Sequence, residues 1–538
     1  MLFRFLLLLL ICAPSALSAA PYQAMVVAAQ KSAAEAGMAM LEKSGNAFDA
    51  AAATALALGV VEPGSSGIGG GGFFLLYIAR EDRYVMIDAR ETSPKLAGNG
   101  EVFEQQSSID GPQSAGVPGL AAGVDHLIET YGRLNRNVIT QPAIDLASNG
   151  FAVGPRLRSM LEWRSSAFSD MARTTFLAGD TIRQPALADT LRRFARGGRD
   201  DFYRGETAGR LVADMKRDGG LIRESDLATY RVIEREPIIF DYRGFQFVSA
   251  ALPSSGGMTL ANVFGQLQDD NLKVLNQSDR IHLLVEAMKR AYRDRNAHMG
   301  DSDFVEIPDL LNPKRLQQQR AGIRMEHATP SSEIGNSSDA IGPGTDTTHF
   351  SVIDAEGNMV SATLSINYAF GSGYLSPSTG ILLNDEMDDF ATRPGKPNAF
   401  GLVQGSANAV APGKRMLSSM TPTFVIGPDR TFIVGTPGGS RIISMVLLAS
   451  LGFMLDETAA AEWVNAPRYH HQFLPDEIQH EQGAFNPDVA NELQKRGHKL
   501  KLMKRRYGNM HAILIERETG KLTGIPDARG EGVAIRQE

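Results

Sequence analysis

The segment Asp346-Thr347-Thr348-His349-Phe350-Ser351 puts a pair of threonines where a polar stretch gives way to a β-branched, apolar one. A threonine hydroxyl is a weak nucleophile until a base lies beside it, and a free α-amine on the same residue can be that base. With a reference pKa of roughly 7.7–8.0, a large fraction of such an amine is unprotonated near neutral pH. The chemistry would be acyl transfer, and it requires the bond before Thr347 to be cut. Taken alone, Thr-Thr at a strand start is also ordinary β-branched strand sequence.

Other routes lack their signatures. There is no G-x-S-x-G elbow. Gly67-Ile68-Gly69-Gly70-Gly71-Gly72 satisfies G-x-G-x-x-G, but a helix precedes it and an apolar strand follows. That order is the reverse of a dinucleotide site, so the run reads as a tight packing turn. His470 and His471 are adjacent, which in a strand points them to opposite faces. No H-E-x-x-H accompanies them, so they read as structural or surface residues. Neither metal nor cofactor is expected.

The elements that must position Thr347 are partly legible. Ala33 to Leu41 and Ala47 to Val60 read as Ala- and Leu-rich helices with a Gly45-Asn46 turn between them. Phe73 to Ile78 and Tyr84 to Asp88 read as strands. The region from Val117 to Arg324 reads as mostly helical, with Leu283 to Arg295 as an amphipathic helix rich in Arg and Lys. Glu326 to Asp346 is dense in Ser, Gly, Pro, Asp and Asn and reads as a flexible loop. His349 to Asp354 and Met359 to Ile366 then form a hairpin across a turn at Ala355 to Asn358. Further strands are expected at Thr423 to Ile426, Thr431 to Val434 and Ala512 to Glu516. Helices are expected at Ile442 to Leu451, Thr458 to Val464 and Val489 to Arg496. Helices alternating with hairpin-built strands imply antiparallel sheets covered by helices.

Composition narrows the class. The 538 residues suffice for a large core, and 43% hydrophobic with 21% charged residues is ordinary globular usage. With 54 basic against 61 acidic residues the formal charge is −7, which gives no footprint for nucleic acid. The basic stretch Lys495 to Arg506 reads as a solvated helix end and strand edge. At the N-terminus Arg4, an apolar run from Leu6 to Ile11 and small residues through Ala20 read as a cleaved secretory signal, with an uncleaved membrane anchor or a lipidated Cys12 as the lesser alternatives. The run is too short to span a bilayer, so no stable membrane insertion is expected after cleavage. The expected location is periplasmic or secreted. The only cysteine, Cys12, lies inside this signal, which excludes a thiol nucleophile in the mature chain.

Many motifs in order resemble the γ-glutamyltransferase family. They include Gly45-Asn46-Ala47-Phe48-Asp49-Ala50-Ala51, Val60-Val61-Glu62-Pro63 through Gly72, and Arg90-Glu91-Thr92-Ser93-Pro94. Val117-Pro118-Gly119, Phe202-Tyr203-Arg204-Gly205 and Glu286 to Ala291 continue the match. Thr347 to Val352, Asn384 to Phe390, Leu417 to Met420, Gly435 to Arg441 and Asn465 to Arg468 complete it. The resemblance implies an α+β fold, a four-layer αββα sandwich of the N-terminal-nucleophile hydrolase type. It implies a signal peptide over residues 1–20 and self-cleavage between Asp346 and Thr347. A large subunit (21–346) and a small subunit (347–538) would then share one fold.

The resemblance also implies roles. Thr347 would attack the γ-glutamyl amide of glutathione or a similar compound, forming an ester that passes to water or to an amino acid or peptide acceptor. Ser365, where relatives often carry Thr, would support the nucleophile's amine. Gly438 and Gly439 would form the oxyanion hole. Arg90, Ser418 and Ser419 would hold the substrate α-carboxylate, and Asn367, Glu386 and Asp389 the α-ammonium. Many bacterial relatives carry Gln where Glu386 stands. Phe400 would be the aromatic gate of a lid from Arg393 to Lys414, where Tyr is common. Asp389 favours γ-glutamyl over glutaryl donors. The alternatives are a cephalosporin-acylase-like amidase and a non-catalytic exported binding protein of the same fold.

Overall fold

The computed structural model describes residues 22–335, 347–392 and 404–537. Strands β1 (Met25–Ala28), β2 (Gly71–Ile78), β3 (Arg83–Ala89), β4 (Ile233–Arg235), β5 (Ile238–Tyr242) and β6 (Phe245–Ser249) come first in the chain. Then follow β7 (Thr348–Ile353), β8 (Met359–Ser365), β9 (Thr423–Ile426), β10 (Arg430–Val434), β11 (His511–Glu516), β12 (Leu522–Pro526) and β13 (Val533–Arg536). One sheet has the order β13-β1-β7-β8-β2-β3-β4, and the second has the order β12-β11-β10-β9-β6-β5. All pairings within these two sheets are antiparallel.

The layering follows from alternation along the strands. Phe74 and Leu76 of β2, with Phe350 and Val352 of β7, pack outward under helices α1 (Lys31–Glu42) and α2 (Ala47–Val61). Phe73 and Leu75 face the other way, into the space between the sheets. Helices α3 (Gly256–Gln266), α4 (Gln277–His298) and α5 (Ile442–Leu455) cover the far face of the second sheet. The result is an αββα sandwich. Between the sheets, Thr347 and then His349 and Ser351 of β7 present polar groups, followed on the same face by the apolar Ile353. Ser351 donates to the His511 carbonyl of the second sheet (2.9 Å), and Ser361 of β8 donates to that of Val434 (3.2 Å). Burying hydroxyls is tolerable because each finds an acceptor.

Two local features aim the site. Asn46 caps α2, accepting from the N–H groups of Phe48 and Asp49, while Asp49 accepts from Asn46 N–H in a capping box. The helix ends at Glu62, whose carboxylate accepts from the Thr348 hydroxyl (2.6 Å). The glycine run then threads between neighbours, with no room for a side chain from Gly69 to Gly72. A Cβ on Gly69 would stand 2.1 Å from the Leu382 carbonyl oxygen, and one on Gly70 2.2 Å from that of Ser365. The run is therefore a close-packing turn.

One expectation is incomplete and one needs correction. The region from Val117 to Arg324 is mostly helical, as read, but it also holds β4, β5 and β6, which supply one edge of each sheet. They are short, and β4 and β5 have no fully buried residue except Tyr242, so their apolar signal is weak. The segment from Glu326 also holds a short helix, Ser331–Ile334. Residues 336–346 and 393–403, including Asp346 and Phe400, lie outside the described residues, as do residues 1–21.

Candidate active site

Register places the nucleophile. Thr348 pairs with Leu364 across β7 and β8, so Thr347 and Ser365 stand opposite one another one step further on. Their hydroxyl oxygens are 3.2 Å apart, and Ser365 Oγ also accepts from Asn367 N–H (2.8 Å). Thr347 is buried but lines a cleft with Arg90, Ser365, Asn367, Asp389, Ser418, Ser419 and Gly439. Segments remote in sequence thus converge on one hydroxyl.

Gly438 and Gly439 lie between β10 and α5, in a short turn running into the helix start. Their φ angles are 144° and 58°, a left-handed region that glycine enters without strain. Neither N–H is taken up by a hydrogen bond among the described residues. Amides at such a turn are suited to an anion or a developing oxyanion. The turn is braced from behind: Tyr292 donates to the Ser440 carbonyl (2.5 Å) and Ser440 Oγ to Gln472 (2.6 Å). His470 contacts Gln472 Oε1 through Nε2 (3.0 Å), so its role is structural and buried, not superficial. Among the described residues no His, Cys, Asp or Glu cluster could hold a metal ion.

Arg90 follows β3 and is 1% exposed. Its Nη1 lies 2.7 Å from Glu386 and 3.7 Å from Glu91, and its Nη2 pairs with Asp389. One guanidinium cannot neutralise three carboxylates, two of them fully buried. Burial lowers the Arg90 pKa, but Glu386, Asp389 and Glu91 outweigh it and hold the cation firmly charged. Burial raises the carboxyls of Asp389 and, much further, Glu386, against the pull of Arg90. Glu91 makes no hydrogen bond through either side-chain oxygen, and burial pushes it up to about 8. With Glu386, it is one of the two carboxyls that burial favours keeping protonated at neutral pH.

The expected carboxylate and ammonium residues are thus brought together, but not equivalently. Asp389 keeps 15% side-chain exposure and lines the cleft, whereas Glu386 is fully buried behind Arg90. Asn367 donates its side-chain amide to the Asp385 carbonyl (3.1 Å), leaving its own oxygen as an acceptor. Ser418 is anchored through its N–H to the Pro253 carbonyl (2.8 Å). Sequence reasoning missed Arg295, which lines the same cleft from α4.

A sandwich of two antiparallel sheets between helical layers, with a threonine hydroxyl at the mouth of a central strand and a glycine turn facing it, defines an N-terminal-nucleophile hydrolase. The sequence profile described as Gamma-glutamyltranspeptidase matches residues 33–536. The chain belongs to that family. It is 38% identical over 528 residues to the glutathione hydrolase proenzyme of Escherichia coli, covering 94% of this chain and 90% of that protein. Among solved structures, cephalosporin acylase from Bacillus halodurans superposes with a TM-score of 0.84 at 28% identity, covering 96% of both chains. The γ-glutamyltranspeptidase of Helicobacter pylori matches at 35% identity with a TM-score of 0.55, covering 57% of this chain and 93% of that one.

Proposed function

We propose that the chain is a γ-glutamyltransferase and glutathione hydrolase, made as an exported precursor that cuts itself between Asp346 and Thr347. The observation that carries this reading is the convergence of Thr347, Arg90, Ser418, Ser419 and the Gly438-Gly439 turn on one cleft. In processing, the Thr347 hydroxyl attacks the Asp346 carbonyl, the acyl group shifts from nitrogen to oxygen, and water releases the ester. The freed amine then serves as base. It takes the hydroxyl proton as Thr347 Oγ1 attacks the γ-carbonyl, and it gives that proton to the departing amine. Water or an acceptor amine attacks the resulting γ-glutamyl ester, and the hydroxyl is restored.

The glycine-turn amides would stabilise the oxyanion of each tetrahedral intermediate. Arg90 with Ser418 and Ser419 would hold the α-carboxylate, and Asp389 with the Asn367 oxygen the α-ammonium. Glu386 would act mainly through Arg90, setting its charge balance. Residues 1–20 would direct export, giving a periplasmic or secreted heterodimer of residues 21–346 and 347–538.

The fold shared with a cephalosporin acylase favours a second reading, a glutaryl amidase. The carboxylate of Asp389 in the cleft argues for a donor bearing an ammonium. Turnover of γ-glutamyl and glutaryl p-nitroanilides by the purified enzyme separates the two. A strong γ-glutamyl preference is expected, and a glutaryl preference would replace this reading with the amidase.

A further inference from the structure

Arg295 is 1% exposed, yet every hydrogen bond it makes goes to a neutral acceptor. Nε donates to Ser255 Oγ (2.9 Å), Nη1 to Asn296 Oδ1 (3.1 Å) and Nη2 to Ser419 Oγ (2.8 Å). Among the described residues it forms no ion pair, in contrast to Arg90 with its three carboxylates. Burial pulls its pKa down, to about 10, with Tyr292 and Asp389 opposing, so it is still a cation at neutral pH. A buried cation without a counter-ion is costly unless something supplies the opposite charge.

Its contacts reach both serines of the cleft. Ser255 donates to the Ser418 carbonyl through its N–H (2.9 Å) and its hydroxyl (2.7 Å). Ser419 Oγ accepts from Arg295, and Ser418 Oγ accepts from Met420 N–H (3.1 Å). A hydroxyl has one hydrogen to give. With their oxygens already receiving, both serines keep that hydrogen for an outside acceptor.

We propose that Arg295 is the positioning residue of the carboxylate subsite: it fixes the Ser419 hydroxyl as a donor, holds the Ser418 backbone in place through Ser255, and supplies the uncompensated positive charge that a substrate α-carboxylate completes. Arg90, already ringed by carboxylates, contributes shape and one anchoring group but little net charge. This inference rests on the γ-glutamyl reading of the cleft.

The test compares γ-glutamyl p-nitroanilide with 4-aminobutyryl p-nitroanilide, in which hydrogen replaces the α-carboxylate, on processed wild type, Arg295→Gln, Arg295→Lys and Ser255→Ala. Because the effect acts on binding in ground and transition states alike, KM should rise with kcat nearly unchanged. Loss of a charge-assisted hydrogen bond should lower kcat/KM for the γ-glutamyl donor about 10- to 100-fold in Arg295→Gln. Arg295→Lys should recover part of it, and the 4-aminobutyryl donor should change less than about twofold. Ser255→Ala, a smaller cut that keeps the cation, should show a weaker loss with the same selectivity, so the inference stands or falls even where Arg295→Gln does not fold. Equal losses on both donors, or none, would overturn it. A wild type that does not prefer the γ-glutamyl donor would overturn the carboxylate reading itself, and this inference with it.

Discussion

Replacing Glu91 by glutamine removes a proton-binding group while keeping the side chain's shape. Glu91 has no exposed surface, no side-chain hydrogen bond, and its nearest cation, Arg90 Nη1, is 3.7 Å away. Burial raises its carboxyl from the ordinary 4.5 to about 8, against the pull of Arg90. The unfolded chain therefore releases this proton near pH 4.5, while the folded chain keeps it until about pH 8. Between those values unfolding releases a proton, so Glu91 costs stability increasingly as pH rises, at up to about 1.4 kcal/mol per pH unit. From pH 5 to pH 8 that amounts to roughly 4 kcal/mol. A protein of this size gains about 1 kcal/mol/K of unfolding entropy, so the cost corresponds to roughly 4 °C in Tm. Calorimetry at pH 5 and pH 8 should compare Glu91→Gln with its parent, both carrying Thr347→Ala so that each unfolds as an uncut chain. The Tm of the variant relative to its parent should increase by a few degrees from pH 5 to pH 8. A difference independent of pH, or one that shrinks toward pH 8, would show that Glu91 does not hold a proton across this range.

Gly70→Ala should cripple processing, because its Cβ would meet the Ser365 carbonyl oxygen at 2.2 Å and push away the residue facing Thr347. Gel analysis of freshly made protein checks this, with a stability loss of about 1–3 kcal/mol. Gly438→Ala should lower kcat by about 100-fold with little change in KM, since a side chain at φ 144° strains the turn and meets Met445 at 2.5 Å. Steady-state kinetics on the processed fraction reads this directly. Ser365→Ala should slow turnover about tenfold, the value of one hydrogen bond to the nucleophile, without changing the donor KM.

The hairpin carrying Thr347 was legible because its period-two pattern and its Asp354 to Asn358 turn are local. In the structure Asp354 accepts from the N–H groups of Glu356 and Asn358, closing that turn within a few residues. Helices α1, α2 and α5 were legible for the same reason. The strands from Ile233 to Ser249 were not, because their assignment depends on pairing with Asp88 and Thr423, which lie far away in sequence. Arg295 illustrates the same limit at the site. A basic residue near a helix end reads as solvated, and only the approach of Ser255 and Ser419 from other segments makes it a buried member of the cleft. The spatial clustering of Glu91, Glu386 and Asp389 around one guanidinium is likewise a product of folding. Two of the three are separated from Arg90 by nearly 300 positions.

The central claim is that Thr347 becomes an N-terminal nucleophile by its own action. Intact-mass measurement and N-terminal sequencing of the purified protein, wild type beside Thr347→Ala, test it most directly. The expected result is two chains from the wild type, the smaller beginning at Thr347, and a single uncut chain from the variant. A folded wild type that stays whole, or a Thr347→Ala variant cut at the same bond, would contradict it.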